Sequence, residues 1–551
     1  MSRAWCSLVL AAAAAATMVS PAQEPSWPMY GGSPARNMVN LIDRNVLGTI
    51  GAEKGPPRLW KAALGSRCYA QPVVAGGKVY VGTNNQVPRN PRDTRVRKDG
   101  KTEPIDKSIL MCFEAATGRF LWQHVNDKLE TGVVNDWPNE GVCSIPTVEG
   151  DRVFYVSNRC TVVCLDANGF SDGNQGVQDE KYRDPTDADV IWEFDMRKEL
   201  GVFPHNMSSG CPLLVGDRLF VPTSNGVDEG HVNVPAPDAP NLIALDKRTG
   251  KLLWRDNAPG KDILHGQWAS PAYAAEPVPQ VIFPGGDGWL RAYTPDTGRL
   301  LWKFDCNPKG ATYDFGGKGT KNHFIAAPVV ADGRAYIGTG QDPEHFTGVG
   351  HLWCIDLKRA VAFGAANPGR DVSPVGNNFD PAAAANRMSA LVWHYGGDEP
   401  RKDGPRAFKF GRTISTVAVV DGVVYAPELE GSVHCLDAAT GELYWRHDTR
   451  GTIWASPYYV DGKVLVGTED GDLFVYRHDP RPQKVDERAF LAATEKAIPL
   501  AARAYQQRVT DLYVRLRLEF DGEIKGTPAV AGGVLYIATE KALYAFKTPP
   551  A

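Results

Sequence analysis

The feature that most constrains this chain is a unit repeated along it, clearest at residues 414–445, ISTVAVVDGVVYAPELEGSVHCLDAATGELYW. Two β-branched and aromatic runs flank Asp421-Gly422, whose glycine tolerates the positive φ of a tight hairpin. Glu430-Gly431 turns the chain into a third run, and Ala439-Thr440-Gly441 turns it into a fourth that ends at Trp445. The unit therefore reads as a meander of four short strands, A to D. Its first hairpin recurs from Pro72, Pro146, Pro212, Pro271, Pro328, Pro457 and Pro528, which makes eight copies in all. The outer strand recurs around Trp122, Trp192, Trp254, Trp302, Trp393 and Trp445, whereas the seventh copy carries Leu518. The eighth copy runs out of chain after residues 543–546, yet Arg58-Leu59-Trp60-Lys61 is an outer strand with no inner strands before it. The two ends fit. The expected fold is all-β, an eight-bladed propeller of four-stranded antiparallel blades closed by the Trp60 strand, an arrangement that leaves only short sheet edges exposed.

The repeats span residues 58–548 of the 551, so one large ring accounts for nearly the whole chain, with residues 23–57 as an N-terminal extension. Residues 1–22 differ: Arg3 is the only charge before Glu24, residues 8–19 are apolar and alanine-rich, and Ser20-Pro21-Ala22 suits a signal peptidase. We expect cleavage after Ala22 and export to the periplasm or beyond. That run is shorter than the roughly 20 residues of a spanning helix, so no transmembrane anchor is expected. A formal charge of −4 argues against a nucleic-acid surface. The one basic segment, residues 89–107, reads as a solvated loop.

Ten cysteines do not make a disulfide framework here. Cys112, Cys164, Cys354 and Cys435 hold one position in strand C of their blades, a pattern that means core packing. Cys68, Cys143 and Cys211 precede strand A of three blades and Cys160 opens a strand C; a bridge among these four is left open to geometry.

Insertions sort by face. In a meander blade the B–C and D–A connections lie on one face of the ring, and most long insertions fall there. Residues 169–189, 359–389 and 479–512 fall on the other. The last contains a helical pattern, residues 486–496, ended by Pro499 and expected under blade 7. The elaborated face is the expected binding face, because a rigid scaffold that varies its loops on one side binds there.

The segments FEAATGRFLW, LDKRTGKLLW, YTPDTGRLLW and LDAATGELYW resemble the pyrroloquinoline quinone (PQQ) type propeller repeat, found in quinoprotein alcohol dehydrogenases and in BamB-type propellers of outer-membrane assembly. The resemblance implies that each repeated tryptophan packs against the next blade. It also supplies tests of an enzyme reading. Quinoprotein dehydrogenases carry an adjacent cysteine pair, which this sequence lacks, and it has no Cys-x-x-Cys-His haem attachment. Their calcium ligands find their nearest likeness in Asn225, Asp228 and Glu229, oxygen donors for a hard cation.

Two further groups are candidates. His205, His265 and His323 lie seven, six and five residues before Pro212, Pro271 and Pro328, a placement that points three imidazoles to one mouth of the ring, as for Zn²⁺ or Cu²⁺. Trp268 and Trp454 share the sequence Trp-Ala-Ser-Pro and offer flat surfaces near the axis, or plugs for it; Arg67, Arg412 and Lys525 precede strand A in their blades and supply cations for an acidic cofactor. The overall expectation is an exported, monomeric, non-catalytic scaffold that takes a protein or small-molecule ligand on the elaborated face. The alternative is a quinoprotein-type oxidoreductase holding PQQ and calcium.

Overall fold

Each proline-led repeat folds as the alternation of its residues requires. In the computed structural model, which describes residues 25–48, 57–313, 319–341, 348–398, 408–486 and 498–547, eight antiparallel sheets contain the expected strands in the order A-B-C-D. The blade at residues 414–445 is typical: Ala418–Val420, Val423–Pro427, Ser432–Asp437 and Leu443–Asp448 pair in sequence, with Cys435 opposite both Tyr425 and Trp445. The last sheet is closed as expected. Strand Arg58–Ala63 pairs antiparallel with Ala542–Lys547, with Trp60 opposite Ala545. Residues 1–22, the expected export signal, lie outside the described residues.

One interaction recurs from blade to blade. The outer-strand tryptophan of one blade donates its indole N–H to a backbone carbonyl in the C–D turn of the next: Trp60 to Ala115 (3.0 Å), Trp122 to Ala167 (3.0 Å), Trp192 to Lys247 (3.1 Å), Trp254 to Pro295 (2.9 Å) and Trp393 to Ala438 (3.0 Å). The glycine of that turn lies against the same ring. At Gly118, with φ +72°, an added Cβ would stand 2.6 Å from the Trp60 ring, and at Gly441, with φ +73°, 2.7 Å from Trp393. The Ala-x-Thr-Gly motif thus serves two needs at once, a left-handed turn and a flat floor for the neighbour's tryptophan. Where an insertion replaces the motif the lock changes. Trp302 donates its indole N–H to Gln280 of its own blade (2.9 Å), with Gly364 of the helix Leu357–Ala366 packed on the Leu301 carbonyl beside it, and Trp445 stacks on Tyr513 at 4.9 Å.

The long insertions of the second face fold back over the outer strand of the preceding blade. Residues 186–188 pair with Gln123, Arg370–Asp371 pairs in parallel with Trp302 and Lys303, and the helix Ile498–Tyr513 packs on Leu443–Asp448 and Val514–Glu519. Most of the helical pattern expected at residues 486–496 lies outside the described residues. The helix that is described begins just before Pro499, which sits in its first turn, where no N–H is needed. The segment 89–107 is more than a solvated loop. Lys107 is buried against Asp93 (2.9 Å), Arg92 pairs with Asp184 (2.8 Å) and Asp187, and the strands Thr94–Val96 and Thr102–Pro104 form a small hairpin. The nine described cysteines are free thiols, so no bridge joins Cys68, Cys143, Cys160 and Cys211.

The N-terminal extension runs through the centre of the ring. Its backbone or side chains bond the inner strand, or the proline leading into it, in every blade. Trp27 pairs with Val74, Pro28 O accepts from Val148 N, Pro34 O from Tyr273 N and Ala35 O from Val330 N. Arg36 donates to Cys211 and Pro212, Asn37 exchanges two bonds with Val419, Val39 pairs with Tyr459, and Asn40 donates to Val530. Arg36 is fully buried and donates to four carbonyls, those of Tyr30, Cys211, Pro212 and Pro271. Burial lowers its pKa to about 10, so it is charged at neutral pH.

Closure by the first outer strand makes Trp60 the joint between the two ends of the ring. Trp60→Ala is expected to lower stability by about 3–5 kcal/mol, the usual range for emptying a buried aromatic site. Denaturant melts showing a loss below about 1 kcal/mol would contradict a closing role for this strand.

Candidate functional site

The residues just before strand A converge from all eight blades. Tyr69, Cys143, Ser209, Trp268, Ile325, Ile414, Trp454 and Lys525, one from each blade, line an axial cavity of about 320 Å³ that Tyr30 of the N-terminal segment completes. The segment meets the same strands farther along, toward their A–B turns. The channel is therefore stoppered from the second face, leaving a blind pocket toward the elaborated one. Tyr30 is fixed there by hydrogen bonds to Thr416 (2.8 Å) and Ser456 (3.3 Å).

The pocket is aromatic, and its charges are paired. Lys525 is buried between Glu469 (3.2 Å) and Glu523 (2.7 Å), with its Nζ over Tyr69 at 5.1 Å and over Trp454 at 5.0 Å. Burial raises the Glu140 carboxyl above the usual carboxylate range, against the opposing pull of Tyr69, Arg67 and Lys525. Trp268, Trp454 and Lys525 of the sequence-derived set face this cavity. Arg67 and Arg412 do not line it. Arg67 lies at the rim between Glu140 (3.6 Å) and Glu540 (3.4 Å), and Arg412 is buried among the blade 4 and 5 loops, donating to Asn322 (2.8 Å) and Gly319 (2.7 Å). Both sequence positions precede strand A, but a long side chain at that point follows its nearest acceptors rather than the axis.

Beside Trp268 lies a histidine cluster. His205, His231 and His265 each offer a ring nitrogen, and these atoms all lie within 4.8 Å of one another. His323 flanks them, its ring 5.8 Å from that of His265. The structure thus brings together the three histidines expected from the sequence, but the closest trio contains His231 in place of His323. His231 belongs to no repeat position. Its only signal was its place in the polar loop after Glu229.

Comparison with known proteins bears on the family. Residues 382–481 match the family described as Outer membrane protein assembly factor BamB. The outer membrane protein assembly factor BamB of Shewanella oneidensis is 23% identical over 333 residues, 53% of this chain and 78% of that protein. A polyvinylalcohol dehydrogenase of Sphingopyxis sp. is 34% identical over 107 residues, 18% of this chain but only 16% of that enzyme. The crystal structure of BamB from Moraxella catarrhalis superposes with a TM-score of 0.50 at 13% identity, covering 89% of this chain and 99% of that one.

This chain is an eight-bladed β-propeller whose repeats resemble the PQQ type. The residues of this propeller that would have to hold quinone and calcium do not fit that pair. Asn225 is buried with its side chain spent on the backbone, accepting from Phe203 and donating to Ala236. Asp228 caps its own loop at Val232 and Asn233, and Glu229 is exposed. The side-chain oxygens of Asn225 and Asp228 are thus committed to neighbouring backbone and loop groups rather than offered to a shared cation. Among the described residues, the cavity lining offers no cation beyond Lys525, already held by two glutamates, to receive a triply carboxylated ring system.

Cys143 lines the cavity and is the only one of the described cysteines that is half-buried. Burial raises the thiol pKa of Cys143 as it does those of Cys112, Cys164, Cys354 and Cys435, so solvent access rather than acidity sets their order of reaction. N-ethylmaleimide should therefore modify Cys143 in the native protein well before these four. Peptide mapping that finds the four strand C cysteines labelled as fast as Cys143 would contradict the placement.

Proposed function

We propose that this PQQ-like propeller is an exported, non-catalytic binding protein that takes a flat, uncharged organic ligand in its blind axial cavity. The observation that carries this reading is the pairing of charge around the cavity. Lys525 is held by two glutamates, so aromatic faces at Tyr69, Trp268 and Trp454 are what a ligand meets. A volume of about 320 Å³ lies at the small end of the roughly 300–1,000 Å³ typical of small-molecule sites. The long loops around the mouth extend the contact surface, and the 23% identity to a protein named an outer membrane protein assembly factor supports a binding role. The second reading, a quinone-dependent oxidoreductase, is favoured by the 34% identity over 107 residues to the polyvinylalcohol dehydrogenase.

Two titrations separate the readings. Menadione, a flat neutral probe, is expected to quench tryptophan fluorescence saturably, with affinity roughly tenfold lower in Trp454→Ala, the scale of one lost aromatic stack. PQQ with Ca²⁺ is expected to pass through gel filtration unretained and to support no alcohol-dependent reduction of an artificial acceptor. Stoichiometric, calcium-dependent retention of PQQ with alcohol turnover would establish the oxidoreductase instead.

A further inference from the structure

The histidine cluster beside Trp268 is built as a ligand set. His205 Nδ1 lies 2.7 Å from the carbonyl of Val227. A carbonyl only accepts, so the proton is on Nδ1 and the lone pair on Nε2. That is the arrangement of a metal-binding imidazole, whose second nitrogen donates to a backbone oxygen that fixes ring and tautomer. His231 Nε2 and His265 Nε2 face each other at 2.8 Å. A shared ion at the roughly 2.0–2.1 Å of a metal–imidazole bond would part them only slightly.

Three connections of the elaborated face hold the rings. The segments bearing His205, His231 and His265 are cross-linked by bridges between Pro204 and Asn225 and between Gly226 and Gly266, and by bonds from Val227 N to His265 O (2.9 Å) and from His205 N to Ser224 O (3.2 Å). At Gly226 the packing is so close that a Cβ would lie 2.5 Å from the His205 Cβ and 2.6 Å from the His265 carbonyl. His231 adopts φ +56°, a left-handed conformation costly for a non-glycine residue, held by its N–H to Asp228 O at 3.0 Å. His205 and His265 are buried and His231 is half-buried, which leaves one approach from solvent.

We propose that His205, His231 and His265 bind one divalent transition-metal ion of the Zn²⁺ or Cu²⁺ class. The donor set is entirely imidazole, which favours these ions over Ca²⁺ and Mg²⁺, and three protein ligands leave a fourth coordination position for water or a ligand. The site stands apart from the axial cavity but touches its wall. Trp268, which lines the cavity, donates its indole N–H to the carbonyls of His205 (3.2 Å) and Met207 (3.1 Å), and its ring lies 4.9 Å from that of His265. The proposal holds whatever occupies the cavity.

The test uses the full-length protein without a polyhistidine tag, stripped by chelator, dialysed, and reloaded with Zn²⁺ or Cu²⁺ alone. One equivalent should be retained by elemental analysis, with Cu²⁺ giving an electron paramagnetic resonance spectrum split by three equatorial nitrogens. His231→Ala removes a half-buried loop side chain, so it should keep the parent circular dichroism. It should weaken Zn²⁺ binding by more than the roughly 10–100-fold that loss of an outer-sphere partner costs. His205→Gln, should it fold, is expected to behave alike. Failure of the wild-type protein to retain an equivalent of either ion, or undiminished affinity in a folded His231→Ala variant, would overturn the proposal.

Discussion

Everything in this ring depends on how one blade recognises the next, and that recognition is largely a single indole set on a single glycine. A four-stranded sheet has two faces and two edges to cover, and a ring solves the faces only if neighbours interlock. The outer-strand tryptophan does so with directional and non-directional energy together: its ring buries apolar surface against the next blade, and its N–H spends itself on a carbonyl of the next C–D turn. A β-carbon at Gly118 or Gly441 would occupy the space of the ring and also meet a disfavoured φ. The sequence motif is thus a contact surface as much as a turn. Where insertions displaced it the contact differs: the Trp302 N–H turns to Gln280 of its own blade, and the Trp445 ring stacks on Tyr513 of the inserted helix.

A ring locked at its circumference still leaves a channel, and here the chain fills it with its own N-terminal segment. Residues 27–40 bond to all eight blades, so the ends of the chain are tied twice: once at the rim through Trp60 and once on the axis. The buried Arg36, held by four carbonyls, shows why the segment has a defined register. A cation held without an ion pair is tolerable in that interior only where all three of its nitrogens donate to oxygens, as these do. The stopper also sets the chemistry of the mouth. It converts a tunnel into a pocket, brings in Tyr30, and leaves aromatic surface and internally paired charge toward the elaborated face.

The repeats were legible because strand alternation and turn chemistry recur with the same residues, and the Trp60 strand was legible because its blade is otherwise incomplete. What the sequence concealed has no internal copy. The N-terminal segment bonds mainly through its backbone, which leaves little trace in side-chain pattern. Pro499 reads as a helix stop in isolation, yet the tertiary support of Leu443–Asp448 and Val514–Glu519 lets a helix begin beside it. Arg67 and Arg412 were placed at the axis by register alone, but their partners Glu140, Glu540 and Asn322 turned them elsewhere. His205, His265 and His323 could be aligned through the prolines that follow them, whereas His231 sits in a B–C insertion with no counterpart in other blades.

The claim on which this account turns is that the N-terminal segment is an integral part of the ring rather than a tether. Native-state hydrogen exchange followed by mass spectrometry measures this directly. Amides in peptides covering residues 27–40, with those of Val74, Val148, Tyr273, Val330, Val419 and Tyr459 on the inner strands, should exchange only as slowly as the strand B and C core, through global unfolding. Exchange of residues 27–40 within seconds, while the blade cores stay protected, would show the segment to be loosely held and the channel to be open.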